Sequence, residues 1–235
     1  MIRAVIFDVV GTVVDWRDGV AAVARETFAA KGIDADPHAF ADAWRGQYQP
    51  AMESVRSGGR PYVALDDLHL ENLRHVLGEV GLADAFGEEE IVAFNAAWEK
   101  LPPWPDSVPG IAAMRQAGLL AATCSNGSIA MMSRLARFTG IEWDCILGAD
   151  VARAYKPDPL AYRRSVAALR LEPAEVVLVA AHNDDLAAAR REGLRTAFIL
   201  RPLERGPGQG IDLAPTADWD FVAPDMVALA RMLAG

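Results

Sequence analysis

Short, wholly apolar runs alternate with polar loops and helical periodicity along most of this chain. Runs rich in Val, Ile, Leu and Ala lie at residues 4–7, 119–123, 176–180 and 196–200. A strand with one face in water alternates apolar with polar, whereas a strand covered on both faces reads as a continuous apolar run. These four segments are therefore predicted as inner strands of a parallel sheet. Helical patterns at 129–139, 159–169 and 186–192 lie between or beside the later runs, and Gly193 follows the last of them at a C-cap position. The alternation predicts an α/β fold, a doubly wound Rossmann-like sheet.

Residues 14–98 depart from that rhythm. Stretches 20–30, 38–55, 66–80 and 88–97 carry Ala, Leu and charged residues at helical spacing and contain no buried-strand run. A helical insertion between the first and second strands accounts for this. Residues 1–14 and 99–235 are then the α/β core, and residues 15–98 a helical cap over the carboxyl ends of the strands, where ligands bind in open α/β sheets. Trp104-Pro105-Asp106 and Val108-Pro109-Gly110 mark the return to the core, and Gly206-Pro207-Gly208-Gln209-Gly210 reads as a mobile loop, either a plain surface loop or a rim element.

Composition narrows the partners. At 235 residues and 52% apolar content the chain can bury a full core. Its formal charge of -9, with no run of Lys or Arg, disfavours nucleic acid and anionic membranes, which reward clustered positive charge. A small substrate remains, and an anionic one would need cations and amide dipoles placed locally in its pocket. Met1 leads straight into the first apolar run without a charged-then-apolar leader, so a cytoplasmic enzyme is expected. Cys124 and Cys145 lack metal-ligand spacing and read as inert core thiols. His38, His69 and His75 are scattered over the helical insert without a His-x-x-x-His pair, so they are expected at the surface or in helix packing, with no zinc site.

Polar residues follow the apolar runs in a definite order: Asp8 with Thr12, then Ser125-Asn126-Gly127, then Lys156-Pro157-Asp158, then His182-Asn183-Asp184-Asp185. Singly, each has a plain explanation as a cap, a turn, a loop cation or a helix-start charge pair. Converging at one sheet edge, they form a site. Asp8 is its candidate nucleophile, and the apolar Val10 leaves no second carboxylate beside it for general acid work.

This ordered set resembles the haloacid dehalogenase superfamily over essentially the whole chain. Phosphatases of that superfamily carry a second Asp where this chain has Val10, and an acidic Mg²⁺ ligand where it has Ala181. The chain is more similar to the (S)-2-haloacid dehalogenase (type II) branch, through Ala43-Trp44-Arg45, Gly59-Arg60-Pro61-Tyr62-Val63, Ser125-Asn126-Gly127 and Ala180-Ala181-His182. The chemistry agrees. A phosphate dianion needs a cation to offset its repulsion of a carboxylate, and an alkoxide leaving group needs a proton, whereas chloride or bromide needs neither.

The resemblance implies hydrolysis of 2-haloacids through an aspartyl ester, without metal or cofactor, and a cap through which the chain pairs as a homodimer. It implies Asp8 as nucleophile, Lys156 and Thr12 beside it, and Asp185 as the final acid acting on water. Ser125 becomes the binder of the substrate carboxylate, Asn126 and Arg45 the halide-side donors, and Tyr162 a neighbour of the nucleophile. His182 stands where that branch has a different water cradle. It reads either as a water-binding group or base, or as a hydrogen-bonded structural histidine. Asp184 replaces an aromatic and is expected to turn outward, the alternatives being a smaller halide wall or a shifted metal site. Trp44 and Tyr62 are candidate pocket walls. Two other functions stay open: a Mg²⁺-dependent phosphomonoesterase on the same scaffold, and a non-catalytic small-anion binding protein.

Overall fold

The computed structural model describes residues 1–234. Its sheet has five strands, all parallel, in the order β2-β1-β3-β4-β5, with β1 Ala4–Phe7, β2 Leu120–Thr123, β3 Val176–Ala180, β4 Arg195–Ile199 and β5 Phe221–Ala223. Every residue of β1 and β3 is buried, as continuous apolar runs require when helices cover both faces. The four predicted strands agree with β1 to β4 to within one residue at each end. The edge strand β5 has only three residues, too short to leave a periodic signal.

Between β1 and β2 the chain is helical: α1 Trp16–Lys31, α2 Pro37–Gly46, α3 Tyr48–Arg56, α4 Leu65–Glu79 and α5 Glu88–Asn95, with two short 3₁₀ turns. The single helix expected over 38–55 is two, because Pro50 has no N–H and its ring collides with the carbonyl four residues back, at Gly46. Phe28, Phe40, Trp44, Phe94 and Trp98 pack into one aromatic cluster here, the Phe40 and Phe94 rings stacked with centroids 5.5 Å apart. Trp44 is therefore no pocket wall. It is 1% exposed and donates its indole N–H to the carbonyl of His69. Nor is Tyr62, whose hydroxyl donates to Asp150 instead. His38 and His75 meet Asp18 and Glu79 at the surface, while His69 is buried against Trp98.

The second half runs α6 Ser107–Gln116, β2, α7 Ile129–Thr139, α8 Ala149–Ala152, α9 Pro159–Ala168, β3, α10 Asn183–Arg191, β4, β5 and α11 Met226–Ala234. The sequence reading missed α6 because Pro109 and Gly110 look like a turn. Both lie in its first turn, where proline loses no helical bond, and at Gly110 a Cβ would come within 2.4 Å of Met226 on α11. Cys124 is fully buried, its thiol pushed up to about 12 by desolvation, which suits an inert core group. No helix among the described residues is long and apolar enough to cross a membrane.

This strand order places the topological switch point between β1 and β3, so the loops leaving their carboxyl ends diverge and open a crevice. Asp8 leaves β1 and His182 to Asp185 leave β3 at that point.

Candidate active site

Asp8 continues the ladder for one residue, its backbone N–H donating to the carbonyl of Val179 at 3.0 Å. The chain then turns through Gly11, at φ +93°, and brings Thr12 back over the carboxylate. Thr12 Oγ1 donates to Asp8 Oδ2 at 2.7 Å and accepts from the backbone N–H of Ala181 at 2.9 Å, which ties the loop after β1 to the end of β3.

Lys156 approaches from the loop before α9 and is 7% exposed. Its Nζ donates to Asp8 Oδ1 at 2.9 Å and to Asp185 Oδ2 at 2.5 Å, and Tyr162 on α9 donates its hydroxyl to Asp185 Oδ1 at 2.6 Å. Asn126 holds this arrangement in register: its Oδ1 accepts from the backbone N–H of Lys156 at 2.8 Å, and its Nδ2 donates to the Tyr48 hydroxyl at 3.2 Å. Ser125, 2% exposed, accepts the N–H of Gly127, just ahead of α7. Arg45 lays its guanidinium over the Tyr48 ring, 3.8 Å from the centroid. Among the described residues none accepts a hydrogen bond from that guanidinium. A cavity of about 540 Å³ opens onto Asp8. Every predicted site residue lines it except Thr12, which stands behind the carboxylate.

Burial pushes the Asp8 carboxyl up, but the Lys156 and His182 cations outweigh it and hold it well below the usual carboxylate range. Burial would likewise lower Lys156, yet Asp185 and Asp8 raise it well above the ordinary lysine value. Asp185 moves the other way: burial raises it, Lys156 opposes, and the Asp8 charge adds to the rise. The site thus holds one strongly ionised carboxylate and one more basic carboxylate, bridged by an ammonium.

His182 is hydrogen-bonded through both ring nitrogens. Its Nδ1 lies 3.0 Å from Asp8 Oδ2 and its Nε2 lies 3.0 Å from Glu204 Oε2. Burial would lower its pKa, but these two carboxylates raise it well above the ordinary histidine value. Both nitrogens face acceptors, so both carry hydrogen and neither has a lone pair free for a water proton. Asp184 is exposed at the cavity rim and accepts the N–H of Asp185, in the outward orientation expected of it.

Sequence reasoning missed Glu204. It lies past β4, just ahead of the Gly206 to Gly210 segment, and is 1% exposed. Its Oε1 accepts the indole N–H of Trp16 at 3.0 Å. Arg201 pins this loop by donating to the carbonyl of Thr12 and, through both terminal nitrogens, to Asp106. Asn183 holds the far side, donating to Asp212 and Ala214 and accepting from Thr216 and Trp219. The Gly206 to Gly210 segment therefore belongs to an anchored border of the site, and its flanking residues Arg205, Ile211 and Asp212 line the cavity. One signal was available: an acid in the loop that leaves a buried strand sits at the same sheet edge as the other site loops. Gly11 completes the fit, since a Cβ there would come within 2.4 Å of Glu204 Oε1. Gly11→Ala is expected to lower stability by about 1–2 kcal/mol, from the positive φ and that collision. Thermal melting of the variant checks this, and an unchanged transition would contradict the close approach.

A parallel sheet with a carboxylate at the end of its first strand, a lysine from a later loop and an acid past the end of the third strand is the arrangement of a hydrolase site. The chain belongs to the haloacid dehalogenase-like hydrolase family, whose family model matches residues 2–193. It is similar to the crystal structure of a defluorinating L-2-haloacid dehalogenase, at 48% identity and a TM-score of 0.97, covering 100% of this chain and 96% of that one. The L-2-haloacid dehalogenase of Xanthobacter autotrophicus, solved with chloropropionic acid covalently bound, is 26% identical with a TM-score of 0.82, covering 100% of this chain and 99% of that one. Among curated proteins, an (S)-2-haloacid dehalogenase of Xanthobacter autotrophicus is 29% identical over 86% of this chain and 76% of its own length.

Proposed function

We propose that this chain hydrolyses the carbon–halogen bond of short L-2-haloalkanoic acids, giving 2-hydroxy acids through an ester on Asp8. The observation that carries the reading is a buried, strongly ionised carboxylate facing a cavity, with Lys156 on one oxygen and apolar Val10 where a phosphatase carries its proton donor. Likeness to haloacid dehalogenases along the whole chain supports it.

Asp8 displaces halide in line at the substrate's α-carbon, inverting it. Arg45 and Asn126 stand on the halide side, where charge accumulates, and Ser125 with the loop before α7 receives the substrate carboxylate. Water then attacks Cγ of Asp8. Asp185, the more basic carboxylate, takes the water proton, and Lys156 protonates the departing oxygen and is recharged by Asp185. Residues 15–98 act as the cap that brings Arg45 and Tyr48 over the core. Lys156 occupies the gap between Asp8 and Asp185 and supplies the positive charge between those two acids.

A halide-release assay with chelator tests the reading, using chloro-, bromo- and fluoroacetate and both enantiomers of 2-chloropropionate. Undiminished release from the L enantiomer is expected, with little from the D enantiomer. Fluoride is the most demanding case, because its bond to carbon is strong and its anion needs the closest donors. Absence of halide release, together with phosphate-ester turnover that chelator abolishes, would favour a metal-dependent phosphomonoesterase instead. A protein that bound haloacid without ever gaining its mass would be a non-catalytic binder.

A further inference from the structure

The two oxygens of Asp8 are held unequally. Oδ1 receives only Lys156, whereas Oδ2 receives Thr12 Oγ1 at 2.7 Å and His182 Nδ1 at 3.0 Å. The less encumbered Oδ1 is the attacking atom, so Oδ2 becomes the carbonyl oxygen of the ester. Two donors then already stand on the atom that takes negative charge when water adds to Cγ. Thr12 must donate there, because its other contact, the Ala181 N–H, is itself a donor.

We infer that His182, held as an imidazolium by Glu204, is the second donor of an oxyanion site at Asp8 Oδ2 and acts in ester hydrolysis, with Glu204 as its positioning residue. This rests on the haloacid dehalogenase reading and assigns the water-step chemistry within it. In the resting protein His182 faces two anions, Asp8 and Glu204. Alkylation neutralises Asp8, and from then on Glu204 is the anion that keeps the ring doubly protonated. Burial alone would raise the Glu204 carboxyl, but His182, with Arg205 and Arg45 further off, holds it below its usual value. The Trp16 N–H on its other oxygen fixes its orientation.

The step balances without a proton from histidine. Water oxygen bonds to Cγ, and the π pair of the Cγ–Oδ2 bond moves onto Oδ2, facing Thr12 and His182. Collapse restores that bond and breaks Cγ–Oδ1. Oδ1 leaves as the product hydroxyl oxygen, protonated by Lys156, while one water proton passes through Asp185 to restore Lys156. The remaining proton on the new Asp8 carboxyl goes to solvent. An imidazolium contributes by donating a hydrogen bond throughout, which a neutral base could not do from a bare nitrogen.

Rapid-quench kinetics with L-2-chloropropionate separate the steps in Glu204→Gln and His182→Gln. Both variants are expected to keep the halide burst while hydroxy-acid formation slows on the order of 10- to 100-fold, so ester mass accumulates. The values of kcat and KM then fall together while kcat/KM holds. A fall in kcat/KM without ester, or an unchanged kcat, overturns the assignment. For variants that do not fold, ¹⁵N-histidine spectra of the unmodified protein decide: both His182 ring nitrogens should remain protonated at about pH 8, above the ordinary histidine range. A bare nitrogen sinks the inference. Absence of any halide from the unmodified protein would instead sink the dehalogenase reading beneath it.

Discussion

Asp8→Asn is expected to release no measurable halide, a loss on the order of 10⁴-fold or more, in a protein that still folds and still fills its cavity. The amide has nearly the shape of the carboxylate but not its charge, and it cannot displace halide at carbon at a useful rate. Folding should survive because the neighbours keep other partners. Lys156 retains Asp185, and His182 retains Glu204. Mass spectrometry gives the complementary readout. Unmodified protein quenched during turnover should carry the acid's mass on the peptide containing Asp8, and the variant should carry none. In ¹⁸O water, a single turnover should label the Asp8 side chain before the product, since water enters at Cγ. Normal halide release by Asp8→Asn would remove the nucleophile assignment altogether.

The second large effect belongs to Lys156→Met. Methionine fills much of the lysine's volume but leaves Asp8 and Asp185 without the ammonium between them. Two buried carboxylates then share one region of low dielectric, and their mutual repulsion raises the pKa of at least one. In the unmodified protein Asp8 is held well below the usual carboxylate range, so it stays ionised through mildly acidic pH. Turnover should therefore fall on the order of 10³-fold, and the acidic limb of its pH profile should move upward. The stability profile changes in sign as well. A carboxylate with a depressed folded pKa stabilises above its unfolded value and loses that contribution as pH falls through the folded value. In the variant a raised folded value reverses that contribution, which is then greatest in acid and declines as pH rises through it. Melting temperatures across pH read this directly. A variant with unchanged rate and unchanged pH profile would place Lys156 outside the chemistry.

Much of this site was legible because catalytic loops that follow buried strands appear in sequence as polar residues directly after apolar runs. Asp8, Ser125 and Asp185 were found in that way, and the switch point of the sheet explains why they meet. The helix-initiating segments behaved similarly, since Pro37 and Pro159 mark first turns in which a missing N–H is harmless. The failures have equally definite causes. Helix α6 was obscured by Pro109 and Gly110, whose presence is a matter of position within the first turn and of contact with α11. Tyr48 went unnoticed because a tyrosine at helical spacing has the same pattern whether it faces a core or a cavity. The sequence left His182 open between a base and a hydrogen-bonded histidine because histidine takes its charge from its neighbours, and the decisive neighbour lies 22 residues further along the chain.

What the chain's own order of residues determined is the parallel core, the helical insertion after the first strand, and the identity of the acids and cations that line the crevice. Periodicity and strand-end placement are local properties, so they survive in a linear text. Which oxygen of Asp8 receives which donor, whether the imidazole is charged, and that an acid beyond the fourth strand turns inward to meet it were decided only in the folded molecule. Those features arise from Coulombic and hydrogen-bond partnerships between distant segments, and they come into being when burial removes the water that would otherwise have satisfied each group separately.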